Sequence, residues 1–252
     1  MFGLDLWHFA AVCGIALVAG FVKGAIGFAL PMIMLSVMAS FLDIETALAL
    51  LILPVLVTNT AQAFREGWRA AWESAVKYRV HIITVLVFIA ISAGFVRVLP
   101  QTVMYALLGV PIVLYAALEF SGKPLIIPVH HAKRAEFLLS VVGGLFGGIS
   151  GIWGPPLIVY LMSTNVEKTE AMRVMGVSFF AGGVVLTGAH LMTGVLDRDT
   201  APLSALLVLP ALLGLWLGFW MHDRLNAVVF RQCTLLMLML TGLNLLRRAF
   251  WA

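Results

Sequence analysis

Charge is what this sequence has least of: only 11% of its 252 residues are Asp, Glu, Lys or Arg, while 62% are hydrophobic. A water-soluble domain carries about 25% charged and about 45–50% apolar residues. With a mean hydropathy of +1.05, the chain lacks the polar surface to coat a soluble globule of its size. The same scarcity excludes disordered, fibrous and nucleic-acid-binding classes, in spite of a formal net charge of +4. That excess reads instead as Lys and Arg held in loops on one side of a bilayer. Cysteine is scarce too. Cys13 and Cys233 both sit in apolar runs, which excludes a disulfide scaffold and a thiolate zinc site. Hydrolytic signatures are missing: there is no His-Glu-x-x-His and no Gly-x-Ser-x-Gly, and the acidic residues fall mostly in loops. Neither an enzyme nor a bound metal or cofactor is expected. What remains is an all-α polytopic membrane protein, a single membrane domain over residues 1–252.

A bilayer crossing needs about 20 apolar residues. Residues 47–64, 80–98, 103–120, 172–192, 202–221 and 227–246 meet that need, with polar punctuation at 65–79, 122–136 and 197–199. The stretch 122–136, with Lys123, His130, His131, Lys133 and Arg134, reads as the loop between two halves. Two further apolar stretches resist a simple helix. Residues 6–41 are interrupted by Gly24-Ala25-Ile26-Gly27 ahead of Pro31. Residues 137–162 are interrupted by Gly147-Gly148-Ile149-Ser150-Gly151 ahead of Gly154-Pro155-Pro156. Glycine costs about 1 kcal/mol in a helix interior and proline about 3. Each stretch should therefore split into two short segments at mid-membrane depth. Irregular backbone survives there only where protein or a water-filled cavity surrounds it.

The two broken stretches are copies of one another. An offset of 124 residues pairs Gly20 with Gly144, Gly24 with Gly148, Gly27 with Gly151 and Pro31 with Pro155. It continues through Ala47 and Ala171 to Gly94-Phe95 and Gly218-Phe219 without a gap. The halves are therefore 1–123 and 124–252. Repeats with broken helices are the arrangement of many secondary transporters, whose substrate sits near the midplane. Straight-through breaks would make the halves parallel; hairpins would make them inverted. Leaving Lys23 aside, hairpins divide the Lys and Arg residues 11 to 4 between the two sides, and straight-through breaks divide them 10 to 5. The segment from Pro155 to Thr164 also reaches only about 15 Å as a helix, half a bilayer. Inverted repeats are thus expected, each a broken-helix hairpin plus three transmembrane helices.

The chemistry at these breaks suits an anion. Proline favours the first turn of a helix, so Pro31 and Pro155 should start the short second helices. The amides just before them, at Phe28, Ala29 and Leu30 and at Ile152, Trp153 and Gly154, would be donors at positive dipole ends. Glycines such as Gly24, Gly27, Gly151 and Gly154 would let that backbone approach a ligand; the plainer alternative is that Gly20, Gly24 and Gly27, and likewise Gly144, Gly148 and Gly151, form only close-packing faces of small residues. Lys23 is the one cation well inside an apolar stretch, a functional residue by default unless it snorkels to an interface. Asn59 and Gln62 share a helix face and either donate to an oxyanion or bond neighbouring helices. Ser150 and Trp153 could add a hydroxyl and an indole N–H. Arg173 reads as a loop ion pair with Glu170, and Trp68, Trp72 and Tyr78 as interface anchors.

At these residues the chain resembles the sulfite exporter TauE/SafE family. The resemblance rests on Gly20-Phe-Val-Lys-Gly-Ala-Ile-Gly27 with Pro31, on Gly147-Gly-Ile-Ser-Gly-Ile-Trp-Gly-Pro-Pro156, and on Asn59-x-x-Gln62. It covers essentially the whole chain, although Phe28-Ala29-Leu30-Pro31 replaces the more glycine-rich run of many relatives. It implies a multi-pass protein of the bacterial inner membrane that exports sulfite or organosulfonates. The implied partners are a small anion and the lipid bilayer, with room for a homodimer. The competing readings are a membrane-embedded enzyme, a scaffold subunit, and a transporter of another small anion such as a carboxylate.

Overall fold

The computed structural model describes residues 5–38, 41–42, 44–93, 101–123, 126–150, 153–193, 196, 198 and 200–250. Among them every regular element is a helix. In chain order these are α1 (Leu6–Ile26), α2 (Leu30–Met38), α3 (Ile44–Ala63), α4 (Trp68–Lys77), α5 (Arg79–Ala93) and α6 (Gln101–Phe120). The second half supplies α7 (Val129–Ser150), α8 (Gly154–Ser163), α9 (Lys168–Thr193), α10 (Ala201–Arg224) and α11 (Ala227–Phe250). Five helices are long and apolar enough to cross a membrane, or six if α4 and α5, bent by 76°, count as one. The helices fall into two compact units, residues 1–71 with 172–226 and residues 72–171 with 227–252, so each unit draws on both sequence halves.

In the first unit, α1 begins where the Asp5 carboxylate accepts the His8 amide at 2.8 Å, an N-cap that satisfies one orphan donor. It ends at Gly27, whose φ of 93° is the left-handed conformation glycine adopts freely. The chain then turns back. Leu30, Met34 and Met38 of α2 share one apolar core with Ala19, Ala16 and Val12 of α1. Beyond α2, the Phe41 ring stacks on His8 at 5.5 Å. The first break is thus a hairpin. Its arms are unequal, however: of the two glycines expected to break the stretch, Gly27 ends α1 but Gly24, like Gly20, lies inside it, and α1 alone is long enough to span.

Packing explains why α1 tolerates them. A Cβ on Gly20 would lie 2.1 Å from the Ala211 carbonyl oxygen, and one on Gly24 would lie 2.2 Å from that of Leu215. From the α10 side, Gly214 and Gly218 meet the carbonyl oxygens of Leu17 and Phe21 at 2.0 and 2.2 Å. Two small-xxx-small faces bring the backbones of α1 and α10 together in parallel, and dispersion at that distance outweighs the helix penalty of glycine.

Helices α3 and α9 run antiparallel. Gly183 faces Leu56 and Asn59, and Gly176 faces Gln62 and Ala63. Further along, Arg173 pairs with Glu66. This corrects the expected Arg173–Glu170 pair, since residues three apart on α9 reach toward different neighbours. Arg65 bonds both carboxylate oxygens of Asp223 at 2.7 Å at the same end of the unit.

The second unit repeats the first packing. Gly144, the mate of Gly20, sits on α5 with a Cβ position 2.8 Å from the Val85 carbonyl oxygen and 2.6 Å from Phe88 Cβ. Residue 87, between them, is the mate of Ala211. The second hairpin closes where the Ile127 amide donates to the Ser163 carbonyl at 2.9 Å, and where Gly143 faces Trp153 and Pro156. Helix α7 starts at Val129, so His130, His131, Lys133 and Arg134 belong to a helix and not to a loop. Glu170 accepts from Lys77 at 2.5 Å and from the Tyr78 hydroxyl at 2.9 Å. Arg231 donates to the buried Glu119 at 2.5 Å. Helix α4, inside a stretch expected to be punctuation, is amphipathic: Trp68, Trp72 and Val76 are exposed on one face while Ala71 and Ser74 are buried.

Candidate functional site

The end of α1, the last turns of α3 and the first half of α9 enclose a polar cluster within the first unit. Lys23 is 1% exposed, and its ammonium donates to Asn59 Oδ1 at 2.6 Å. The same nitrogen stands 5.4 Å from the centroid of the Phe179 ring, within cation–π range. Asn59 Nδ2 donates to the Phe179 carbonyl at 3.0 Å, which orients the amide and leaves Oδ1 for the lysine. One turn on, Gln62 Nε2 donates to the carbonyls of Gly27 at 3.0 Å and Met172 at 2.8 Å, with Met172 Sδ at 3.3 Å. Among the described residues no carboxylate pairs with Lys23.

The hairpin turn beside it is under-satisfied. The amides of Phe28 and Ala29 donate to no acceptor among the described residues, although both residues are 3% exposed. Ala29 has φ 80°, a left-handed conformation that costs a non-glycine residue about 1 kcal/mol or more. Buried, unpaired backbone donors are rare in folded proteins. Two occur here in succession, at Phe28 and at the strained Ala29, just before α2 begins.

Hydrogen bonds therefore join Lys23, Gly27, Asn59 and Gln62, and Phe28 and Ala29 continue the chain from them. Gly24 faces α10, so close packing accounts for it. Asn59 and Gln62 spend their amide hydrogens on backbone carbonyls, which favours the helix-bonding alternative for those atoms. The other expected residues belong to the second unit. Trp153 is buried against Gly143 and Gly147, Gly154 starts α8, Ser150 closes α7, and Gly151 lies outside the described residues. Met172, Met175 and Phe179 were missed because apolar residues on a spanning helix carry no local sign of what they face. A Cβ on Gly27 would meet Met175 Cε at 2.3 Å, so these thioethers wall the turn. Among the described residues no three His, Cys, Asp or Glu side chains gather as a metal site requires.

Apolar spanning helices with helical hairpins broken at glycine and proline are the arrangement of many membrane transporters. The pattern of the family Sulfite exporter TauE/SafE matches residues 12–245, and the chain belongs to that family. A curated relative from Cupriavidus necator, named probable sulfite/organosulfonate exporter TauE, is 26% identical over 201 residues, covering 76% of this chain and 75% of its own. No solved structure matches. The protein is accordingly a transporter and not an enzyme, a multi-pass protein of the inner membrane.

Proposed function

We propose that the protein exports small sulfur oxyanions, sulfite or organosulfonates, and that the anion binds at the first hairpin turn against Lys23 and the amides of Phe28 and Ala29. The observation that carries this reading is the buried Lys23 ammonium without a carboxylate, one turn before two unsatisfied amides. A sulfur oxyanion has several acceptor oxygens and supplies the missing charge. The relative's name points to the same anions. Ser150, Gly151, Trp153 and Gly154 are proposed as the equivalent helix start of the other half. That half lacks the cation, since Gly147 stands at the mate position of Lys23.

Inverted repeats and a midplane site are part of the proposal, and α3 and α9 support both. Helices at mate positions run antiparallel and meet where Gly183 faces Asn59, themselves mates at the offset of 124. A two-fold axis in the membrane plane would bring upright mates together in that way, and would put Asn59 at the level of the axis. Purified protein with Lys23→Met tests the site. A charge-assisted hydrogen bond is worth about 1.5–3 kcal/mol, so anion affinity should fall by roughly ten- to a hundredfold. Lys23→Met binding and exporting sulfite like the parent would move the site elsewhere.

A further inference from the structure

We infer that Gln62 makes this site select a monoanion that carries its own hydrogen-bond donor: hydrogensulfite over the sulfite dianion, and hydroxy-substituted sulfonates over plain ones. The inference rests on the reading that Lys23 holds the oxyanion, and adds to it which oxyanion. Gln62 is 1% exposed, and its Oε1 has no hydrogen-bond partner among the described residues. Turning the amide over would not help. Nε2 faces two carbonyl oxygens and a thioether, and Oε1 in its place would set lone pair against lone pair. The amide is locked, and its acceptor is left bare by construction.

That acceptor belongs to the anion site by position. Oε1 and Nε2 hang from one carbon, and Nε2 is bonded to Gly27, the residue that opens the turn with the unsatisfied amides. Asn59, one turn earlier on the same face of α3, holds Lys23. The cluster thus offers one positive charge, two N–H donors and one bare acceptor. One charge matches a monoanion, and the acceptor matches an O–H or N–H on it. A dianion, or a sulfonate without a donor, would place oxygen lone pairs or a methyl group against a buried carbonyl oxygen. A site built to complete a hydrogen bond penalises the ligand that leaves it unmade.

The test compares 2-hydroxyethanesulfonate with ethanesulfonate, monoanions of nearly equal size, by titration calorimetry on the full-length protein in detergent. The parent should bind the hydroxylated anion at least tenfold more tightly. Gln62→Met should bring the ratio to within twofold, whatever the absolute affinities become. Above the range where hydrogensulfite loses its proton, sulfite affinity of the parent should fall more steeply with pH than ethanesulfonate affinity, by about a further tenfold per pH unit. Equal affinities in the parent, or a preference that survives Gln62→Met, overturn the assignment and leave the Lys23 site standing. Should Gln62→Met not fold, the parent's ratio and its pH profile still decide the matter. Binding of neither sulfonate nor sulfite by the parent overturns the export reading, and this one with it.

Discussion

Lys23 was conspicuous in the sequence because a cation between apolar residues is expensive in a bilayer. Its partner was not. Asn59 lies 36 residues away, and periodicity said only that it shares a face with Gln62. The structure turns that face toward α1, and a prediction follows at this scale. Asn59→Leu leaves a buried ammonium without its acceptor and should lower stability by about 1–3 kcal/mol. Lys23→Met in the same protein removes the stranded charge, so the double variant should lose less than the two single losses added. Thermal unfolding in detergent without added anion measures the cycle. Strict additivity would mean that Lys23 does not depend on Asn59.

Element boundaries were the most legible feature. The expected spans at 47–64, 202–221 and 227–246 fall on α3, α10 and α11 to within a few residues, because apolar runs end where Arg and Asp begin. Glycine was read less well. Its helix penalty is local and visible in sequence, whereas the contact that repays it comes from another helix. This separates glycines by environment. Gly14 of α1 has nothing within 4 Å of a Cβ position, so Gly14→Ala should raise stability by about 0.5–1 kcal/mol. Gly20→Ala, two turns on, must push the α10 backbone away and should cost about 1–3 kcal/mol. Equal shifts in melting temperature for the two would show that α1 and α10 do not pack at that distance. Helix α4 went unseen for a related reason: ten residues mixing Trp, Arg and Glu look like a loop, and the structure makes them a separate helix set at 76° to α5.

For the whole molecule, the proposed inverted repeat makes a sidedness prediction. Gly67 and Leu225 lie at the end of the first unit where Arg65 meets Asp223, whereas Asp5 and Arg198 lie at the other ends of their helices. With Cys13 and Cys233 replaced, single cysteines at 67 and 225 should be labelled from the cytoplasmic side, and those at 5 and 198 from the opposite side. Labelling of all four from one side would exclude the topology. Export of a monoanion also needs no coupling ion. An inside-negative potential drives it outward by about 2.3 kcal/mol per 100 mV. The buried carboxylate of Glu119 is already paired with Arg231. Flux in liposomes should therefore follow an imposed potential; flux that follows a pH gradient at clamped zero potential would contradict this.

The sequence by itself determined the membrane class, the helical spans and the positions of the two breaks. Each of these depends on composition or on neighbours within one helical turn: hydrocarbon demands apolar runs, and proline and glycine act on their own backbone. Only the tertiary structure decided that Gly20 and Gly24 of α1 pack against α10. Only it showed that Asn59 and Gln62 spend their amide hydrogens on backbone carbonyls, and that α3 and α9 meet at mate positions in opposite directions. Those outcomes rest on hydrogen bonds and van der Waals contacts between residues more than 30 apart in the chain. Both energies vanish beyond a few ångströms, so nothing local in the sequence records them.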